Sequence, residues 1–177
     1  MTTVISGSSP SVTFSDSSTQ TTAFSAANSN TWTATQTFNG STSTFGAVLL
    51  NAAETTTVSA TAATGTINYY INSQSVLYYT SNASANWTVN VAFSSGTTLN
   101  TALATGQTVT IAFLVTQGST AYYNNAVTID GTSVTPKWQG GTAPTAGNAN
   151  SIDAYTYTIT KTASATYTVL ASQTKFA

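Results

Sequence analysis

Apolar and polar residues alternate with a period of two along most of this chain. Trp32, Ala34, Gln36 and Phe38 are separated by Thr31, Thr33, Thr35 and Thr37. Trp87, Val89, Val91 and Phe93 take turns with Thr88, Asn90 and Ala92. Val109, Ile111, Phe113 and Val115 form a third such run, Tyr155, Tyr157 and Ile159 a fourth, and Tyr167, Val169 and Ala171 a less regular fifth. Successive side chains of a strand point to opposite faces, so each run predicts a strand with one buried face and one hydroxyl-bearing face. Threonine, the commonest residue, is β-branched and suits this role better than a helix interior.

Turn residues separate the runs: Asn39-Gly40, Ser94-Ser95-Gly96, Gln117-Gly118-Ser119, Asp130-Gly131 and Gly140-Gly141. Asp130-Gly131 lies between Val127-Thr128-Ile129 and Thr132-Ser133-Val134, the spacing of a two-residue hairpin whose type I′ turn needs positive φ at both positions. Gly140 to Asn150 predicts a long surface loop. One or two helical turns are predicted near Leu99 to Ala104, and Phe45 to Glu54 fits either a helix or a strand, with strand favoured. Phe176, close to the last residue, predicts a docked tail.

Hydrophobic density is uneven. Residues 1–40 are poor in large aliphatics and predict an extended N-terminal arm or attachment segment, whereas 41–177 can build a core. The fold class expected is all-β: an antiparallel β-sandwich or jelly-roll-like domain over 41–177 behind that arm. At 177 residues, 41% hydrophobic and 11% aromatic, the chain is large and apolar enough for a packed interior.

Charge changes the picture. Only 4% of the residues are charged, against roughly 25% in ordinary soluble domains. The cations are Lys137, Lys161 and Lys175, the acids Asp16, Glu54, Asp130 and Asp153, and the net charge is −1. So little mutual repulsion favours association over life as a free monomer. Three scattered lysines cannot displace enough phosphate counterions for nucleic-acid binding. No apolar run is long enough to span a membrane as a helix. The N-terminus has neither a basic nor an apolar segment of the signal-peptide kind, which predicts a protein kept in the cytoplasm until it is assembled.

The inventory for chemistry is short. Histidine and cysteine are absent, so acid–base and nucleophilic work would fall to carboxylates or a Ser–Lys pair. Asp130 and Asp153 are the one carboxylate pair with a case for glycoside hydrolysis, yet Asp130 is expected in its turn for backbone reasons. No catalytic residue, cofactor site or metal site is expected: phosphate-loop patterns are missing, and the acids are too dispersed for calcium. Binding has better candidates. Tyr69-Tyr70, Tyr78-Tyr79 and Tyr122-Tyr123 should each place one ring inside and one outside, if they lie in strands. Outward Tyr70, Tyr79 and Tyr123, together with Trp138, are the candidate contacts, either for packing between subunits or for a glycan. The Asn-x-Ser/Thr sequons at Asn39, Asn82 and Asn86 are expected by chance in this composition.

The segment from Pro10 to Ala23, PSVTFSDSSTQTTA, and the following TWTATQTFNG from Thr31 to Gly40 resemble phrases that recur in phage tail-fibre proteins. WQGGTAP from Trp138 to Pro144, AYTYTITK from Ala154 to Lys161 and ATYTVLASQTKF from Ala165 to Phe176 are similar to the ends of structural proteins of tailed phages. The chain thus resembles a tailed-bacteriophage virion structural protein, of tail-fibre or capsid-decoration type. That resemblance implies a homotrimer located in the virion, assembled in the host cytoplasm against major capsid or tail proteins, with a host surface glycan as a further partner. The chain departs from the fibre pattern in two ways: the motif follows Met1 almost at once, and no coiled-coil heptads are present.

Overall fold

The computed structural model describes residues 54–177 and, before them, only the backbone of two short strands, β1 (Val12–Thr13) and β2 (Thr19–Gln20), which pair antiparallel. The chain divides into two units, Met1–Val48 and Leu49–Ala177. Apart from those two short strands, the expected arm, with the Trp32–Phe38 strand and the Asn39-Gly40 turn, lies outside the described residues, as does most of the Phe45–Glu54 element.

The second unit is all-β. Its strands are β3 (Thr56–Ala62), β4 (Gly65–Tyr70), β5 (Val76–Ser81), β6 (Trp87–Ala92), β7 (Thr108–Thr116), β8 (Asn124–Ile129), β9 (Thr132–Val134), β10 (Lys137–Trp138), β11 (Ile152–Ala163) and β12 (Thr166–Phe176). A single turn of helix, α1 (Leu99–Ala102), and a short 3-10 turn at Gln139–Gly141 interrupt them. The strands make a six-stranded sheet in the order β10-β12-β11-β7-β5-β3 and a four-stranded sheet in the order β4-β6-β8-β9.

Both sheets are mixed, which corrects the expectation of antiparallel pairing. β3/β5, β5/β7, β4/β6 and β6/β8 are all parallel, as is β10/β12. From β3 to β8 the chain changes sheet after every strand. Strands two apart in sequence therefore lie side by side, and they run parallel. Antiparallel order returns where strands follow one another within a sheet, as in the β8/β9 and β11/β12 hairpins, and in the β7/β11 ladder. The hairpin turns take the backbone expected of them: Asp130 and Gly131 have φ of 50° and 79°, as a type I′ turn requires.

The alternating sequence is realised in the burial. Trp87, Val89 and Val91 of β6 are buried, as are Ile111, Phe113 and Val115 of β7 and Tyr155, Tyr157 and Ile159 of β11. Side chains from both sheets join one apolar cluster. Trp87 meets Phe113 and Tyr155 edge-on, at centroid distances of 5.9 and 5.7 Å, the favoured geometry for aromatic pairs. Its indole N–H, and the hydroxyl of Tyr167, are buried without a hydrogen-bond partner, so packing outweighs a polar loss there.

Asn124 shows how the core admits polar groups. Its carboxamide accepts from the Tyr157 hydroxyl at 3.0 Å and donates to the carbonyls of Trp87 and Ala126 at 3.0 and 2.8 Å. The β6/β8 register shifts between Trp87 and Thr88, and the Asn124 amide satisfies carbonyls that this irregularity leaves over. On the outward face of the same sheet, parallel register aligns Asn68, Asn90 and Thr128. The Asn90 amide donates to Asn68 Oδ1 at 2.9 Å and the Thr128 hydroxyl to Asn90 Oδ1 at 2.8 Å, forming a polar ladder.

Candidate functional site

The two acids that could have formed a catalytic pair stand at opposite ends of the strands, each absorbed in a structural task. Asp130, beyond its turn, accepts the backbone N–H groups of Leu99 and Asn100 at 2.7 and 3.0 Å. It therefore supplies negative charge at the start of α1, where the unpaired amides of a helix end are found. Thr98 caps the same end, its side chain accepting from Thr101 N–H at 3.1 Å. At the other end of α1 the buried Lys161 ammonium donates to the carbonyls of Asn100 and Leu103 at 2.5 and 2.8 Å. One helical turn is thus clamped between an acid from the four-stranded sheet and a lysine from the six-stranded sheet.

Asp153 is fully buried at the far end of β11. Its carboxylate accepts from Asn148 N–H at 3.0 Å, the Asn148 amide at 2.6 Å, the Gln117 amide at 3.0 Å and the Gln173 amide at 3.2 Å. Gln117 also behaves like a piece of strand. Its amide donates to the Tyr122 carbonyl at 2.6 Å and its carbonyl accepts from Tyr122 N–H at 3.0 Å. Gly147 lies so close that a Cβ there would sit 2.1 Å from the Tyr122 carbonyl oxygen. Asp153 therefore fastens the 143–150 loop and the 117–123 loop to the end of the core. The strand between Asp153 and Lys161 covers about 26 Å, far more than the 5–9.5 Å separating working glycosidase carboxylates.

The aromatic candidates are spread across the fold. Trp138 ends β10, at the sheet edge beside β12, and packs edge-on against Tyr155 and Tyr157 at 6.5 and 6.3 Å. Tyr79 lies on β5, separated from β10 by β12, β11 and β7, and turns inward against Phe113 at 5.5 Å. Tyr70 closes β4 opposite Ala92. Tyr123 precedes β8, its N–H donating to Asn86 Oδ1 at 3.1 Å. Of the tyrosine pairs, Tyr69-Tyr70 follows the expected split, with Tyr69 fully buried and Tyr70 half-buried. Tyr78 and Tyr79 are both half-buried, and Tyr122-Tyr123 is not in a strand, so alternation does not govern it.

Trp138 is where aromatic surface and concavity coincide. Its indole borders three hollows. One of 420 Å³ is bounded by Gln139, Thr142, Pro144 and Gln173; one of 270 Å³ reaches toward Val134, Pro136 and Asn124; one of 380 Å³ opens toward Lys137, Thr156 and Leu170. Gly140 and Gly141, with φ of 76° and 80°, turn the chain sharply here, a conformation glycine adopts without strain. The first hollow is lined by amides, a hydroxyl, a proline and the indole, and carries no charged side chain. Among the described residues no group of three or more His, Cys, Asp or Glu side chains is placed to hold a metal ion. No helix among them is long and apolar enough to cross a membrane.

No protein-family model, curated protein or solved structure matches the chain.

Two outcomes are expected. Replacing Asp153 by Asn turns an amide donor toward groups that themselves donate, and should cost about 2–4 kcal/mol of stability by urea denaturation. Burial pushes the pKa of the Tyr69, Tyr155 and Tyr157 hydroxyls above the ordinary tyrosine value of 10.0. Their neutral forms contribute stability that is full below that pH and is lost as pH rises, because the unfolded chain releases these protons first. Tyrosinate absorbance at 295 nm should accordingly rise together with loss of the β-sheet circular dichroism, above about pH 10.

Proposed function

We propose that the chain is a non-catalytic structural subunit of a tailed-phage particle, a homo-oligomer that forms part of a fibre or decorates the capsid, with a β-sandwich body and an N-terminal attachment segment. One observation carries this reading: of the six charged residues described, the fold engages three in its interior or at α1 and leaves three on the surface. Asp153 and Lys161 are buried, and Asp130 is bound to α1. Of the remaining charged residues described, Glu54, Lys137 and Lys175 are exposed. The outer surface is left to hydroxyls, amides and methyl groups, which suits permanent contact with neighbours better than repulsion from them. Self-association, attachment to major capsid or tail proteins and location in the virion belong to the same reading. The resemblance of the 10–40 and 138–176 segments to phage structural proteins supports it further.

A host glycan contact is the second reading, favoured by the uncharged hollow beside Trp138. A flat indole next to neutral amides is the chemistry that recognises sugar rings.

The first reading is tested by imaging purified particles with this subunit localised. Deleting residues 1–40 should leave a folded domain that no longer incorporates, and normal incorporation would count against the attachment role. For the second, a glycan array should show binding that falls at least about 10-fold in Gln139→Ala and Trp138→Ala variants that retain native circular dichroism, in line with loss of an aromatic contact.

A further inference from the structure

The outward face of the six-stranded sheet differs from an ordinary solvated face. Residues directly opposite one another in a ladder share a face, so the registers define its rows. Val58, Tyr78, Leu114, Ala154 and Thr174 lie in one row. Thr110, Thr158, Leu170 and Lys137 lie in another, and Thr108, Thr160 and Thr168 in a third. Phe176 lies across from Ile152 and Thr116. The three exposed large hydrophobics among the described residues, Val58 at 63%, Leu170 at 52% and Phe176 at 58%, therefore all stand on this one face. Its strands carry a single outward charge, Lys137 on the short strand β10 at the sheet edge.

Six of its hydroxyls are paired with one another. Thr108 with Thr160, Thr110 with Thr158, and Thr156 with Ser172 are joined across the strands at 2.9, 3.1 and 2.6 Å. Removing a hydroxyl from water is costly when its hydrogen bond is lost. For these six that bond is kept within the sheet, so the middle of the face can be dried with a reduced polar penalty, leaving methyl groups and the exposed Val, Leu and Phe as contact area. Five spacings across the sheet and the nine residues of β7 give a face on the order of 700 Å², close to the roughly 800 Å² per partner of a stable interface.

We propose that this outward face of the six-stranded sheet is the surface through which one copy of the chain packs on a second copy. The inference rests on the self-assembling reading above and names its surface. The size fits, and a nearly chargeless face gives a heterologous charged partner nothing to pair with. An identical face meets it without burying an unpaired charge, since Lys137 can remain at the rim.

The test is sedimentation velocity on the full-length chain over a micromolar concentration series. The wild type should sediment as a multiple of 18.1 kDa. Leu170→Lys and, independently, Val58→Lys should each weaken association by at least about 100-fold, through an unpaired buried charge, while circular dichroism stays native because both side chains are exposed. Thr66→Glu, on the outward face of the four-stranded sheet, should leave association unchanged. If both lysine variants assemble like the wild type, or if Thr66→Glu alone abolishes assembly, this face is not the interface, although self-assembly stands. A wild type that remains monomeric throughout overturns both this inference and the homo-oligomeric reading.

Discussion

A chain that changes sheet after every strand from β3 to β8 must satisfy backbone polar groups at both ends of its core, and much of this structure follows from that constraint. Each crossing exposes amides and carbonyls that no ladder can pair. At one end α1 fills the gap, with Asp130 on its first amides and Lys161 on its last carbonyls. At the other end Asp153 gathers the donors of Asn148, Gln117 and Gln173. The apolar cluster between these ends is continuous because the ends are closed by polar groups rather than by more hydrocarbon.

The same economy shapes the exterior. With few ionisable residues in the chain and several drawn inward, the surface relies on short hydroxyl and amide side chains that bond to one another. The Asn68–Asn90–Thr128 ladder on one sheet and the threonine pairs on the other are two versions of one device. Parallel or in-register strands bring like residues side by side, and like polar residues can pair reciprocally. Such a surface is poorly suited to steering charged ligands over a distance and well suited to lasting contact at short range.

Local features were legible in the sequence. Period-two alternation marked β6, β7, β11 and β12. Asp130-Gly131 marked its hairpin because only a few residues accept positive φ twice, and Leu99 marked the helical turn. The parallel pairing was hidden, because alternation reports which face is buried and says nothing about which strand lies alongside. Nor could a pattern of turns show that consecutive strands change sheet. The inward role of Asp153 and Lys161 was hidden for a similar reason: both extend an alternating run at positions where the periodicity asks for an apolar residue, and only the tertiary fold supplies their partners. Trp138 was legible as an aromatic beside a glycine turn. That three hollows converge on it depends on β10 lying against β12, residues 166–176, which no local signal announces.

The position of β11 and β12 bears on how the molecule is made. They follow β10 in sequence, yet they lie between it and β7 in the six-stranded sheet. During synthesis β3 to β8 can coil together as they emerge, but β10 waits for a neighbour, and Gln117 and Asn148 wait for Asp153. Only when residues up to 176 have left the ribosome can the hairpin slot between its two flanks. Until then the growing polypeptide displays an open β7 edge, which is vulnerable to wrong pairing with neighbouring nascent chains. Closure of the six-stranded sheet therefore depends on one hairpin, Ile152–Phe176, which joins edges made earlier in the sequence.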